Sequence, residues 1–167
     1  MSQSTPLPRT VDYMRISVTD RCNERCLYCL PEQFQSWNPR EDILTDEEIL
    51  AIIDVAVERG FKHFRVTGGE PLVRRDLANF LHRLIRTPGV ETVQLSTNGT
   101  LLPELAGDLY EAGLRRLNIS LDALDPARYR EITRGQIGPV LAGIRIAKAL
   151  GFTCFRSKIN CAKSSIE

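Results

Sequence analysis

Apolar strand-like runs alternate with stretches at helical spacing along almost the whole chain, and this alternation restricts the fold more than any other feature. Tyr13–Val18, His63–Thr67, Thr92–Ser96 and Arg116–Ser120 read as strands, and a fifth would begin near Thr153. Between the first two, Thr45-Asp46-Glu47-Glu48 has the form of a capping box and precedes an apolar stripe at Ile49, Ile52, Ile53 and Ala56, with Gly60 as the stop. Asp76 is placed to cap a helix whose apolar face is Leu77, Phe80, Leu81 and Leu84, broken by Pro88-Gly89. Leu102, Leu105 and Leu109 mark a third helix ending near Gly113. Asp125-Pro126 opens a short one, and Val140, Leu141, Ile144 and Ala147 face the core from a fifth. Repeated βα units of this kind demand a parallel sheet with right-handed crossovers, so the fold class is α/β.

The chemistry is concentrated just after the first strand. Cys22, Cys26 and Cys29 stand at C-x3-C-x2-C spacing, three thiols within eight residues. Three thiolates on one loop hold three irons of a cubane and leave the fourth iron open, unlike the four-Cys sites that only pass electrons. A structural zinc site wants four ligands, and only Cys26 and Cys29 form a zinc-like pair, with neither His63 nor His82 nearby in sequence. A thioredoxin-like C-x2-C would have no third Cys upstream. An iron–sulfur site is the preferred reading, with zinc and plain thiols as alternatives. Cys154 and Cys161, separated by six residues, read as buried or tail thiols.

The spacing, with an aromatic residue before the last Cys, resembles the signature of radical S-adenosylmethionine (SAM) enzymes. Longer segments narrow the resemblance. Met14–Asn23, Thr67–Asp76 and Asn118–Leu124 are similar, in order, to segments of the GTP 3′,8-cyclase family of molybdenum cofactor biosynthesis, and they cover most of residues 13 to 151. The resemblance implies a partial, open (β/α) barrel with parallel strands, of which this chain supplies four to five βα units. It divides the chain into an N-terminal tail (1–12), the radical SAM core (13–152) and a divergent segment (153–167). It implies a 4Fe–4S cluster on Cys22, Cys26 and Cys29, with SAM contacted by Tyr28, Gly69 and Ser120, and GTP contacted by Arg15, Arg65, Ser96 and Lys158. No residue is assigned as a general acid or base. The implied reaction converts GTP to 3′,8-cyclo-7,8-dihydro-GTP, the first step of molybdopterin formation. Its implied partners are an electron donor to the cluster and the pterin-forming enzyme that follows, with a homodimer admitted.

In barrels of this kind functional groups gather at the C-terminal ends of strands. The Cys loop, Gly68–Pro71, Thr97-Asn98-Gly99 and Ser120 all fall there. Planar guanidinium groups at Arg15 and Arg65 suit phosphate. Glycine at 69 suits a backbone that approaches a ligand, so a side chain there is expected to fill ligand space. Glu70 is read as orienting that loop. Two positions depart from the family pattern. Glu24 stands where an aromatic or apolar residue is common and is expected to point to water; His63 stands where lysine is common, and Lys62 points to the opposite face. Arg74, Arg75 and Arg134 read as solvated charges, and His82 as exposed.

A formal charge of +1 from 22 basic and 21 acidic residues gives no support for a nucleic-acid surface. Five Cys without a secretory apolar region suggest a reducing cytoplasm. No apolar run approaches the roughly 20 residues that span a bilayer. The family's C-terminal half carries a second cluster on three further Cys, which this sequence lacks. The 167 residues therefore read as a fragment or a truncated form, incomplete for the full reaction. The alternatives are a peptide-modifying radical SAM enzyme and a non-catalytic iron–sulfur or metal-binding half domain.

Overall fold

The computed structural model describes residues 11–30, 34 and 36–158, with the backbone alone for 154–158. Five parallel strands form one sheet in the order β1-β2-β3-β4-β5: β1 (Tyr13–Ser17), β2 (His63–Thr67), β3 (Thr92–Thr97), β4 (Arg116–Ser120) and β5 (Cys154–Lys158). The crossovers carry α1 (Asp46–Glu58), α2 (Leu77–Arg86), α3 (Leu102–Glu111), α4 (Pro126–Thr133) and α5 (Ile137–Leu150). Strand order follows chain order without a reversal, as in a barrel wall rather than a doubly wound sheet. Cys161 and the tail lie outside the described residues.

Side-chain alternation sorts the two faces of the sheet. Phe64, Val66, Val93, Leu95, Leu117 and Ile119 point to the helices and join one core with Ile53, Leu81, Leu84, Leu109 and Val140. Residues of the opposite parity stay half-buried or exposed, and most are polar: Arg15, Ser17, His63, Arg65, Gln94, Ser96, Arg116, Asn118 and Ser120. A sheet apolar on one face only is thus written into the sequence, and the free face is where ligands can lie.

The capping box at Thr45 forms in full: Thr45 accepts from the Glu48 amide and Glu48 accepts from the Thr45 amide. Such a cap contributes about 1 kcal/mol. The buried stripe of α1 is Ile49, Ile53 and Ala56; Ile52, expected among them, is half exposed, because the helix meets the sheet along the i, i+4, i+7 line. Asp76 does occupy the N-cap of α2, but in a left-handed conformation (φ 52°) and without a side-chain cap bond. Arg74 is not a solvated charge. It pairs with Asp46 at 2.6 Å and donates to the carbonyls of Val18 and Leu44, joining the end of β1 to the start of α1. Arg75 and Arg134 are exposed as expected, whereas His82 is half-buried in a cleft of about 670 Å³ between α2 and α3.

Candidate active site

The cysteine loop leaves β1 at the C-terminal edge of the sheet and is fastened to each neighbouring strand end. The Gly69 amide donates to the Thr19 carbonyl (2.8 Å) and the Glu70 amide to that of Arg21 (2.7 Å). Asn98, on the turn after β3, donates to Asn23 (2.8 Å), and Asn23 donates to Thr100 (2.8 Å). The Tyr28 hydroxyl donates to Asp122, just past β4 (2.9 Å). The cysteine loop is therefore tied to the turns after β2 and β3 and, through Asp122, to the segment just past Ser120 at the end of β4, around one rim.

Gly69 is required for a different reason from the one the sequence suggests. A Cβ at this position would run into the backbone carbonyls of Asp20 and Arg21. The space a side chain would take is filled by the cysteine loop itself, not by an open ligand pocket. The other side of Gly69 remains exposed.

Glu70 lies beneath the rim, 1% exposed. It accepts from the Thr97 hydroxyl (2.7 Å), the Asn98 amide (2.6 Å) and the Leu72 amide (3.0 Å), so one carboxylate holds the turns after β2 and β3 together. Burial pushes its pKa up to about 7, against the opposing pull of those three bonds.

Glu24 does not point to water. It is 5% exposed and accepts from the Tyr129 hydroxyl on α4 at 2.7 Å. Burial raises its pKa above the ordinary carboxylate value. A carboxylate in the middle of an exposed-looking loop turns inward because a fully buried phenol from α4 needs an acceptor there.

The three thiols are free, Cys22 and Cys26 half-buried and Cys29 exposed. Burial raises Cys22 and takes Cys26 up to about 12, so both are protonated until a metal displaces the protons. Among the described residues no three His, Cys, Asp or Glu side chains gather closely enough to share one ion. A cubane spreads its thiolates over separate irons, so this donor set fits a cluster better than a single zinc. Cys154 pairs in register with Arg116, at the far end of the sheet from the loop, and supplies no fourth ligand there.

Below the rim, Arg15, Arg65, Gln94 and Arg116 occupy adjacent register positions on β1 to β4. Arg65 donates to the Gln94 side chain (2.8 Å), and its guanidinium lies over the Tyr13 ring at 5.5 Å. None of the three arginines has an ion pair among the described residues. The Arg65 Nε and Tyr13 hydroxyl are buried without partners. One step nearer the rim, Asn118 donates to Ser96 at 3.3 Å. Ser120 and Lys158 share a register position beside them, as do Asn118 and Arg156. His63 sits at the opposite end of β2, bonded to Thr92 (3.0 Å), and Lys62 turns away to pair with Glu91. Sequence reading missed Gln94, Arg116, Asp122 and Tyr129. Strand parity flags Gln94 and Arg116; nothing local flags Tyr129.

Residues 16–161 match the family model of the radical SAM superfamily. The chain belongs to that superfamily. Its cofactors are a 4Fe–4S cluster and SAM. Among curated relatives, the GTP 3′,8-cyclase of Thermodesulfovibrio yellowstonii is 48% identical over 145 residues, covering 86% of this chain and 45% of the relative. That of Pseudomonas savastanoi pv. phaseolicola is 47% identical over 154 residues, covering 92% and 46%. The chain thus spans under half the length of the relatives it matches. Among solved structures, Streptococcus suis SuiB bound to the precursor peptide SuiA superposes with a TM-score of 0.70 at 17% identity, covering 87% of this chain and 32% of SuiB. The protein anSMEcpe with bound AdoMet gives 0.67 at 20%, covering 87% and 42%. These two show the shared fold. No helix among the described residues is long and apolar enough to cross a membrane.

Proposed function

We propose that this chain carries the cluster-binding and SAM-binding portion of a GTP 3′,8-cyclase, with 13–152 as its core. In this reading Cys22, Cys26 and Cys29 hold the cluster. Tyr28, Gly69 and Ser120 meet SAM, and Arg15, Arg65, Ser96 and Lys158 meet GTP. When bound, the reduced cluster and SAM supply the radical that withdraws hydrogen from the nucleotide ribose. The chain's own residues bind and orient. The rim fixes the loop, and the arginine row offers fixed cations to a triphosphate in the parallel-fork geometry that guanidinium favours. An electron donor to the cluster and the pterin-forming enzyme that takes the product are the partners this chemistry requires. The reading also admits a homodimer and a cytoplasmic setting.

The observation that carries the reading is the row Arg15–Arg65–Gln94–Arg116 across β1 to β4 on the open face of the sheet, its arginines without an ion pair among the described residues. It suits a polyanion better than a peptide such as the one bound in the fold relative SuiB, and the cyclases are far closer in sequence. Anaerobic calorimetry on the reconstituted chain tests it. GTP should bind more tightly than guanosine, and Arg65→Ala should remove most of that difference. Equal affinity for GTP and guanosine would reject the triphosphate assignment.

A further inference from the structure

The span between the first two ligand thiols is fixed by α4, a helix that contributes no residue to either proposed ligand set. Glu24 lies midway between Cys22 and Cys26, and its carboxylate accepts from the hydroxyl of Tyr129, which is wholly buried. Just after Glu24 the loop takes two rungs from the end of the helix, one on each side of Cys26: the Arg25 amide donates to the Thr133 carbonyl (3.0 Å) and the Leu27 amide to that of Ile132 (2.9 Å). The helix stops at Arg134 in the left-handed conformation (φ 58°), and Gly135 follows. A Cβ on Gly135 would strike the Glu24 carboxylate. Glycine at 135, a phenol at 129 and a carboxylate at 24 therefore form a matched set, although the phenol alone lies 105 positions from the carboxylate.

We propose that Glu24, Tyr129 and Gly135 form a latch that sets the shape of the Cys22–Cys26 span before the cluster arrives, making Glu24 and Tyr129 positioning residues for the ligand thiols. Among the described residues Glu24 alone accepts from the buried Tyr129 hydroxyl, so the loop cannot swing out without leaving that hydroxyl unpaired, and the two backbone rungs would open with it. A loop with one of its ligand spans already fixed loses less conformational freedom when it closes on a cluster. An aromatic or apolar residue at 24 would have no acceptor to offer Tyr129.

The test compares the wild type with Glu24→Leu, Glu24→Gln and Tyr129→Phe. Glutamine keeps an acceptor oxygen, and Tyr129→Phe removes one hydroxyl without reshaping the core. The first measurement is amide exchange at Arg25 and Leu27 in the metal-free chain, with the β2 amides as internal control. Glu24→Leu and Tyr129→Phe should each speed exchange at both positions about tenfold, as expected for the loss of one buried hydrogen bond. Glu24→Gln should stay within about twofold of the wild type, and β2 should be unchanged. The second measurement is iron loss from the reconstituted protein to a chelator, which should quicken in the same two variants and be rescued by glutamine. Wild-type exchange in both disrupting variants would overturn the latch. So would a Glu24→Gln variant as mobile as Glu24→Leu, because the hydrogen bond would then not be what holds the loop. The exchange measurement needs no cluster, so it decides the latch independently of the cofactor assignment.

Discussion

Arg65 and Gln94 stand side by side on β2 and β3, and the guanidinium donates to the amide oxygen at 2.8 Å. A neutral acceptor holds the cation in place without cancelling its charge. With Tyr13 against its face and its Nε unpaired, Arg65 is oriented but not neutralised. Such a group is prepared for an anion. In the proposed reading, Arg65→Ala weakens GTP binding by roughly 10- to 100-fold, the cost of one charge-assisted contact. Gln94→Leu leaves the charge but frees the guanidinium and costs less, about 3- to 10-fold. Calorimetric titration with GTP and guanosine measures both. Guanosine affinity should be nearly unaffected.

Substitution of Gly69 should damage the cysteine loop rather than SAM binding alone. A methyl group here meets the carbonyls of Asp20 and Arg21, both backbone and both unable to rotate away. Gly69→Ala is therefore expected to cost about 2 kcal/mol or more in stability and to lower iron uptake. Denaturant unfolding and iron content of the reconstituted variant check this. Normal iron loading with weakened SAM affinity would show that the loop absorbs the methyl and that ligand space is what was filled.

The pH dependence of stability should carry the signature of Glu70. Its folded pKa is raised from 4.5 to about 7, so between those values the folded chain keeps a proton that the unfolded chain has released. The contribution is fully present below about pH 4.5 and is lost as pH rises through about 7. Its size is on the order of 3 kcal/mol. Comparing urea unfolding of the wild type and Glu70→Gln from pH 4 to 8 isolates it. The wild type's stability relative to the variant should fall across that range, and a constant difference would contradict the burial argument.

Much of the fold was legible because its signals are local. Strand parity, the Thr45 capping box and the Asp125-Pro126 start are each decided within a few residues, and all are realised. The clustering of the Cys loop, Gly69, Asn98 and Ser120 also followed, because parallel strands place their C-terminal ends together. The misreadings concern long-range partners. Glu24 looked solvated until Tyr129 approached it from 105 positions away, and Arg74 until Asp46 did from 28. Ile52 fits a helical stripe, but which line of that stripe meets the sheet is set by tertiary packing. Periodicity marks a face only to within a residue or so.

Removing the Arg74 side chain should be costly despite its place on a surface turn. It closes the junction of β1 and α1 through Asp46, Val18 and Leu44, with only 14% of the side chain exposed. Arg74→Ala should lower stability by about 2 kcal/mol. Urea unfolding measures it, and a loss near zero would mean that water replaces the three contacts.

The central claim is that the cysteine rim and the polar face beneath it form a site where a reduced cluster acts on SAM. The direct measurement is anaerobic incubation of the reconstituted, reduced 167-residue chain with SAM and GTP, with both nucleoside products quantified by mass spectrometry. The account predicts 5′-deoxyadenosine from the wild type, none from a variant with Cys22, Cys26 and Cys29 all changed to Ala, and no catalytic yield of 3′,8-cyclo-7,8-dihydro-GTP from these residues alone. Correct positioning of a substrate supplies roughly 7–11 kcal/mol in favourable cases, and these residues span under half the length of the curated cyclases they match. An iron-loaded chain that forms no 5′-deoxyadenosine, or a triple variant that forms as much as the wild type, would contradict the claim.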